Sequence, residues 1–315
     1  MPGSGSTSTP RSSSTTARTP DPNRSNEEDP MSTTHDAPTA AASGANATER
    51  FKSDKTSGVS ATPSERVDLL VREVLEAVHA TIRKHKVTYD EYNALKSWLI
   101  GVGEDGEWPL FLDVWVEHVV EEVATEHREG NKGTIEGPYY VPGAPQRGAR
   151  GAVPMRNGEP GTPLVWSGRV TSTDGSALGQ ASIELWHADA HGLYSQFAPG
   201  IPEWNLRATF STDTDGTFEI TTVRPAPYQI PTDGACGKLI AAAGWHAWRP
   251  AHLHVKVSAP GHEQLTAQLY FPGDEHNDDD IASAVKPELV LAPKPAGDGR
   301  GETVSYDFVL APVRN

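Results

Sequence analysis

Two histidines separated by one residue, His252 and His254, form the pattern in this sequence that points most directly to chemistry. Side chains at positions i and i+2 of a β-strand point to the same face, so both imidazoles can reach one metal ion. The same spacing also occurs where histidines only pack on a strand, and the pair alone leaves both interpretations open. A cupin-type site is disfavoured, because Ser258 stands where that site would need a glutamate.

Two tyrosines lie in long segments that lack a regular apolar pattern, Tyr194 within residues 188–205 and Tyr228 within residues 224–250. Loops of this length inside a compact domain are usually functional. A single loop tyrosine is more commonly a half-buried aromatic whose hydroxyl reaches the surface. Two phenolates and two imidazoles would instead form a mixed oxygen and nitrogen site, and hard phenolate ligands favour Fe(III) over Zn(II) or Cu(I).

Other common catalytic motifs are missing or stand in an unsuitable context. The sequence has no P-loop and no Gly-x-Ser-x-Gly motif. Its one Gly-x-Gly-x-x-Gly, at residues 101–106, follows a predicted helix and contains two acids, so we interpret it as a helix-ending loop. The acidic run 278–280 lacks the full pattern of a calcium loop and is interpreted as a solvated acidic cap. The single cysteine, Cys236, excludes a disulfide framework and an all-cysteine zinc site.

The composition sets limits on the fold and on the partners. The formal net charge of the 315 residues is −15, which argues against nucleic acid or an anionic membrane as the main partner. Residues 1–50 contain no Leu, Ile, Val, Phe, Tyr or Trp, so we predict a disordered tail over residues 1–60. No apolar run is long enough to span a membrane, and the tail has no apolar stretch typical of a secretory signal. We therefore expect a soluble cytoplasmic protein.

Apolar residues at helical spacing predict a helical module over residues 61–130. A capping box from Thr62 to Glu65 begins the first helix, which extends to about Lys84. A second box, from Thr88 to Glu91, begins the next helix, and Pro109 begins a third. The first helix has a wide apolar face formed by Val67, Leu70, Val71, Val74, Leu75, Val78 and Ile82. Because one small module cannot readily bury that face, we expect a homodimer through it.

Short alternating segments punctuated by turns predict that residues 131–315 form an antiparallel β-sandwich. The predicted strands are Leu164–Thr171, Ser182–Trp186, Arg207–Ser211, Phe218–Val223, His252–Ser258, Leu265–Phe271 and Thr303–Leu310. The predicted fold class is therefore mainly β, with a small N-terminal helical module.

The chain from residue 62 to about residue 312 resembles the intradiol ring-cleavage dioxygenases, and among them the actinobacterial type of catechol 1,2-dioxygenase. The resemblance in the helical module lies in GEWPLFLD at 106–113. Further along it is carried, in the same order, by IEGPYY (135–140), ELWHAD (184–189), GLYSQF (192–197), PEWNLR (202–207), PAPYQIP (225–231), WRPAHLH (248–254) and LTAQLY (265–270).

The resemblance implies a role for particular residues. It implies that the ligands of a non-haem Fe(III) are Tyr194, Tyr228, His252 and His254. Arg249 would face the bound substrate as a catalytic residue, with Gln268 beside it, and Tyr228 would be the ligand that leaves the iron and takes a substrate proton. The same resemblance places five residues in the lining of an aromatic pocket, namely Ile135, Pro138, Tyr139, Ile281 and Ala282.

The activity implied is cleavage of catechol by O2 to cis,cis-muconate, in the β-ketoadipate pathway of aromatic degradation. Chlorocatechol or hydroxyquinol cleavage is the alternative, since the ligand motifs do not separate these groups. A β-sandwich binding module with a structural His-x-His is the alternative outside the enzymes. The resemblance further implies a homodimer through the helical module, with a groove there that can hold a phospholipid chain.

Overall fold

The computed structural model describes residues 62–314, so the predicted tail and its disorder lie outside the described residues. The α-helices of this range are α1 (Ser64–His85), α2 (Tyr89–Glu104), α3 (Trp108–Trp115), α4 (Glu117–Thr125) and α5 (Ala235–Ala243). Helices α1 to α4 precede every strand of the described range, as expected for an N-terminal helical module.

The helix boundaries test the two predicted capping boxes. The second is confirmed: the Thr88 side chain accepts from the backbone N–H of Glu91, and the Glu91 side chain accepts from the backbone N–H of Thr88. The first is wrong, because α1 begins after Pro63 and has no side-chain cap. The third predicted helix is divided into α3 and α4, since the backbone of Val116, with φ −126° and ψ −38°, leaves the helical region.

The rest of the described chain is mainly β. Its strands are β1 (Gln146–Arg147), β2 (Arg150–Ala152), β3 (Pro163–Ser172), β4 (Ser182–His187), β5 (Arg207–Ser211), β6 (Thr217–Val223), β7 (Tyr228–Gln229), β8 (Trp248–Arg249), β9 (His252–Ser258), β10 (Leu265–Tyr270), β11 (Lys294–Pro295), β12 (Glu302–Ser305) and β13 (Phe308–Leu310). One sheet has the order β1-β5-β4-β9-β10, a second has β11-β12-β3-β6-β2 with β13 on β3, and β7 pairs with β8.

The two large sheets are mixed, which modifies the predicted antiparallel sandwich. The longer strands do pair antiparallel, β9 with β4 and β10, and β3 with β6. Four short strands pair parallel with a longer one, β1 with β5, β2 with β6, and both β12 and β13 with β3. Buried side chains of both sheets share one apolar core, which includes Trp166, Phe210, Phe218, Leu253 and Phe308.

The long segment 224–250 is not an irregular loop. It contains β7, α5 and β8, and the pairing of the two short strands places Tyr228 directly opposite Arg249. A further backbone hydrogen bond, from Ile230 to the carbonyl of Ala247, extends this pairing toward α5. Among the described residues, no helix combines the length and the apolar character needed to cross a membrane.

Candidate metal centre

The two histidines lie on β9, inside the five-stranded sheet. His254 pairs with Trp186 of β4 on one side and with Gln268 of β10 on the other. Both imidazoles point to the same face, as the spacing predicts, and their Nε2 atoms are 3.0 Å apart. The indole of Trp186 stacks on the His254 ring, with 4.8 Å between centroids and 10° between planes. The His254 ring is therefore held in place by packing as well as by its strand.

The hydrogen bonds of the histidines leave lone pairs directed into the site. His252 Nδ1 contacts the Pro250 carbonyl oxygen at 2.7 Å, so Nδ1 carries the proton and Nε2 is free to bind a metal. His254 Nδ1 is buried and has no hydrogen-bond partner. Burial and then Arg249 lower the pKa of His252 to about 3, and burial and then His252 lower the pKa of His254 well below its ordinary value. Both imidazoles are thus neutral at physiological pH.

The two tyrosines converge on the histidines from separate segments. Tyr194 Oη lies 3.0 Å from His254 Nε2. The Tyr228 ring lies 5.4 Å from the Tyr194 ring and 5.6 Å from the His252 ring, measured between centroids. Both phenols are buried, and burial is the main cause that raises the pKa of each above its ordinary value. Ionisation of these phenols near neutral pH therefore needs a cation beside them.

These residues fit a metal ion bound by nitrogen and oxygen. His254 Nε2 is 3.0 Å from both His252 Nε2 and Tyr194 Oη. Donor atoms that bind one metal at about 2.1 Å lie about 3.0 Å apart when they subtend a right angle at the metal. Within residues 62–314, no three His, Cys, Asp or Glu side chains are arranged to hold a metal ion. A metal here must therefore use the phenols, and hard phenolate ligands suit Fe(III).

Arg249 lies beside this donor set in a buried network of hydrogen bonds. Its Nε and Nη2 each donate to an oxygen of Asp280 at 2.9 Å. Nη2 also donates to Oε1 of Gln268 at 2.9 Å, and the Tyr270 hydroxyl donates to the same oxygen at 2.8 Å. Gln268 in turn donates to the carbonyl of Ile135 at 3.0 Å. The predicted neighbours Arg249 and Gln268 are thus in direct contact.

The interpretation of residues 278–280 as a solvated acidic cap is wrong for Asp280. Its side chain is 2% exposed and forms a bidentate ion pair with Arg249. Burial acts to raise the pKa of Asp280, but the Arg249 guanidinium and two backbone N–H groups hold it below its ordinary value. An acidic run in the sequence does not show which of its members faces inward, so this contact could be found only in the fold.

The five predicted lining residues occupy two places. Ile135, Pro138 and Tyr139 are buried in the segment before β1, and the Tyr139 ring stacks on that of Tyr194. Ile281 and Ala282 directly follow Asp280, where Ala282 is buried and Ile281 is half-buried. Ile135, Tyr139 and Ala282 belong to the apolar cluster that contains Tyr194 and Tyr228, and Ile281 packs against it.

Arg207 is a positioning residue that the sequence did not reveal. Its buried guanidinium donates to the carbonyl of Tyr139 at 2.8 Å and to the carbonyl of Ser195 at 3.0 Å. Nε donates to the Ser195 hydroxyl at 2.8 Å. One side chain thus joins the segment of Tyr139 to the segment of Tyr194.

The helical module holds the segment that carries Tyr228 and Arg249. The Asp105 carboxylate accepts from the backbone N–H of Ala235 at 3.0 Å, and the Glu107 carboxylate accepts from that of Cys236 at 2.7 Å. These two acids cap the N-terminus of α5. Trp98 Nε1 also donates to the Ala235 carbonyl at 2.7 Å. The buried Cys236 therefore lies in the contact between the helical module and α5.

Known proteins match both parts of the described chain. Residues 135–312 match the family model Dioxygenase, and residues 64–132 match the family model Catechol dioxygenase N terminus. A chlorocatechol 1,2-dioxygenase from Rhodococcus opacus is 39% identical over 251 residues, which cover 78% of this chain and 97% of that protein. A catechol 1,2-dioxygenase from Acinetobacter lwoffii is 36% identical over 241 residues, covering 73% of this chain and 86% of that protein.

A solved structure supports the same relationship. The crystal structure of 3-chlorocatechol 1,2-dioxygenase from Rhodococcus opacus superposes on this chain with a TM-score of 0.76 and 44% sequence identity. The superposition covers 80% of this chain and all of that one. Both the helical module and the β-domain therefore have counterparts in a single known fold.

Proposed function

This chain belongs to the intradiol ring-cleavage dioxygenases, and we propose that it uses Fe(III) and O2 to open a catechol ring between its two hydroxylated carbons. The observation that carries the proposal is the convergence of Tyr194 Oη and His252 Nε2 on His254 Nε2, each at 3.0 Å, in a buried site next to Arg249. A structural His-x-His, the alternative outside the enzymes, would not require two buried phenols directed at the imidazoles.

We assign the metal-binding role to Tyr194, Tyr228, His252 and His254. An Fe(III) ion bound there would supply Lewis acidity and bring a catecholate and O2 together. As phenolates, the two tyrosines offset two of the three charges of a trivalent ion, and the neutral imidazoles complete the donor set. Tyr228, which lies on the short β7–β8 pair opposite Arg249, is assigned as the ligand that exchanges because the family resemblance implies that role. Its Oη can take a proton from a substrate hydroxyl.

Arg249 and Gln268 are assigned to the substrate. The guanidinium stays charged at any physiological pH, and a fixed, buried cation stabilises negative charge that develops on the reacting oxygens. Gln268 and Asp280 fix its orientation through three hydrogen bonds. The aromatic rings of Tyr139 and Trp186 pack against the ligands and help to exclude water.

Two observations bear on which catechol is preferred, the activities of the similar proteins and the residues that would line the pocket. The Rhodococcus opacus relative with 39% identity and the solved structure with 44% identity are both chlorocatechol dioxygenases, whereas the Acinetobacter lwoffii catechol dioxygenase is 36% identical. This difference supports a chlorocatechol as the preferred substrate and catechol as the second. Ile281 and Ala282 would form one side of the pocket, and a small alanine leaves room for a ring substituent. Hydroxyquinol is the remaining alternative within the same chemistry.

Two measurements test the proposal. Metal analysis of protein purified without added metal should find about one iron per chain, with the red-brown colour of tyrosinate-to-Fe(III) charge transfer. One equivalent of zinc in a colourless protein would contradict the assignment of the donor set. Steady-state rates on catechol, 4-chlorocatechol and hydroxyquinol then rank the substrates, and ring opening of none of the three would reject the function.

We also propose that residues 61–130 form a dimerisation module and that residues 131–315 form the catalytic domain. None of the residues of α1 is buried within one chain, although the helix carries a continuous apolar face. A groove of 740 Å³ runs between α1 and α2, lined by Ala77, Val78, Thr81, Ile82, Val87, Thr88, Tyr89, Tyr92 and Leu95. The dimer and a lipid chain in this groove are what the family resemblance implies for such a surface.

A further inference from the structure

We propose that Asp280 is a positioning residue that sets substrate specificity by joining Arg249 to the pocket wall. The inference rests on the proposed function, because Arg249 and residues 281–282 matter here as substrate contacts. Asp280 itself contacts neither the metal donors nor, in this proposal, the substrate. It acts through the groups that its carboxylate holds.

Each oxygen of the Asp280 carboxylate accepts two hydrogen bonds, one from the Arg249 guanidinium and one from a backbone N–H of the pocket wall, residues 281–284. Oδ1 accepts from Arg249 Nε at 2.9 Å and from the backbone N–H of Ala282 at 3.2 Å. Oδ2 accepts from Arg249 Nη2 at 2.9 Å and from the backbone N–H of Ala284 at 3.1 Å. A movement of this carboxylate therefore displaces the guanidinium and the wall together.

The wall segment depends on these bonds for its shape. Ser283, between the two bonded amides, has φ +50°, a left-handed conformation that is unfavourable for a residue with a side chain. The carbonyl of Asp280 accepts from the backbone N–H of Ser283 at 2.8 Å, which closes the turn. Asp280 thus closes a turn that the local sequence disfavours, and that turn presents Ile281 and Ala282.

A second set of contacts anchors the same turn to the rest of the site. The Ile281 backbone N–H donates to the Trp248 carbonyl at 3.2 Å, next to Arg249 in β8. The Thr134 hydroxyl donates to the Ala284 carbonyl at 3.0 Å, next to Ile135. The turn that carries Ile281 and Ala282 is therefore bonded both to β8, which carries Arg249, and to the segment that carries Ile135. The Asp280 carboxylate is the charged group at the point where these segments meet.

Asp280→Asn is the direct test. The amide has a similar size, but its NH2 group cannot accept from Arg249 Nη2 or from Ala284. We expect kcat/KM for catechol and for 4-chlorocatechol to fall by unequal factors, so that their ratio changes at least about fivefold. Anaerobic binding of 4-nitrocatechol, followed by its visible difference spectrum, should weaken by about tenfold, a readout independent of turnover. Iron content should stay at the wild-type level.

Two further variants make the test decisive. Asp279→Asn alters the neighbouring acid, whose exposed side chain faces His246 and His276, and it should leave both the ratio and the affinity unchanged. Asp280→Glu keeps the charge beside buried Arg249, so it preserves folding if the asparagine variant does not fold, and its longer side chain should still shift the ratio.

The inference would be overturned if kcat/KM fell equally on both substrates in the folded Asp280 variants while their affinity for 4-nitrocatechol stayed unchanged. Asp280 would then have only a structural role. A wild-type protein that opens neither ring would instead reject the proposed function, which distinguishes the two failures.

Discussion

The phenol ring of Tyr139 lies flat on the ring of Tyr194, with 4.2 Å between centroids and 4° between planes. Phe197 meets the Tyr139 ring edge-on at 5.0 Å, so the stacked pair is itself supported by a third aromatic side chain. Tyr139, which the family resemblance places in the pocket lining, therefore also supports a proposed metal ligand. The orientation of Tyr194 is fixed by this stack as well as by the chain around it.

Replacing Tyr139 should loosen Tyr194 without removing any metal ligand. Tyr139→Leu deletes the stacking surface, and we expect the free energy of unfolding to fall by about 2 kcal/mol. The charge-transfer absorbance per iron should broaden, because Tyr194 then samples more orientations. Tyr139→Phe keeps the stack and should retain the wild-type band, and an unchanged band in Tyr139→Leu would show that the stack does not position Tyr194.

The two proposed phenolate ligands should respond differently to loss of the hydroxyl. Tyr194→Phe removes the ligand assigned to stay on the iron, so charge-transfer absorbance should drop and catecholate binding should weaken. Tyr228→Phe keeps Tyr194 and both histidines, so most iron should remain, while turnover falls by about 10²–10⁴-fold because the proton acceptor is lost. Iron content and single-turnover rate, measured on each variant, separate the two roles.

Wild-type turnover in an iron-loaded Tyr228→Phe would show that another group takes the proton. Tyr139 would then be the next candidate, because its ring lies 6.0 Å from that of Tyr228. Tyr140 is a poorer candidate, since its hydroxyl donates to Glu184 at 2.8 Å. His252→Ala or His254→Ala should by contrast empty the site.

The proposed dimer can be tested on α1 alone. Val74 is 61% exposed in the single chain, in the middle of the apolar face. Val74→Glu places a charge where a partner subunit would pack, so sedimentation should shift from dimer to monomer at micromolar concentration. Glu76→Gln, on the opposite face of the helix, is the matched control and should stay dimeric. Monomeric wild-type protein at the same concentration would contradict the proposal.

The sequence predicted those parts of the fold that depend on short-range patterns. The strands Arg207–Ser211 and His252–Ser258 match the structure at both ends, because their alternating apolar residues and flanking turns are local signals. The helix beginning after Thr88 was predicted for the same reason, since its capping box lies within four residues. The juxtaposition of Tyr194, Tyr228 and the two histidines came from the family resemblance and not from spacing.

Contacts between distant segments could not be predicted in this way. Asp280 reaches Arg249 across 31 positions, and Glu107 caps α5 across 129 positions. Nothing in the local composition separates these acids from the exposed ones around them. Helix α5 was missed because Gly234 and Gly244 flank the nine-residue segment and Gly237 lies within it, a pattern that favours a loop assignment.

His187, for which no role was predicted from the sequence, should make the stability of the protein depend on pH. It is buried, with Nδ1 at 2.7 Å from the Ala188 carbonyl oxygen and Nε2 at 2.7 Å from the Thr222 hydroxyl. Burial lowers the pKa of His187 to about 4, whereas an unfolded histidine has a pKa of about 6.5. The unfolded chain therefore binds this proton first as the pH falls.

Because of this difference in pKa, the protein becomes less stable as the pH falls. The contribution of neutral His187 to the free energy of unfolding is complete above about pH 6.5. It falls by about 3 kcal/mol as the pH falls toward 4. In urea unfolding, wild type should lose about that much more free energy between pH 7 and pH 4 than His187→Gln does. His127→Gln, at an exposed site, is the matched control and should follow wild type. Parallel pH profiles for wild type and His187→Gln would show that His187 is not kept neutral by burial.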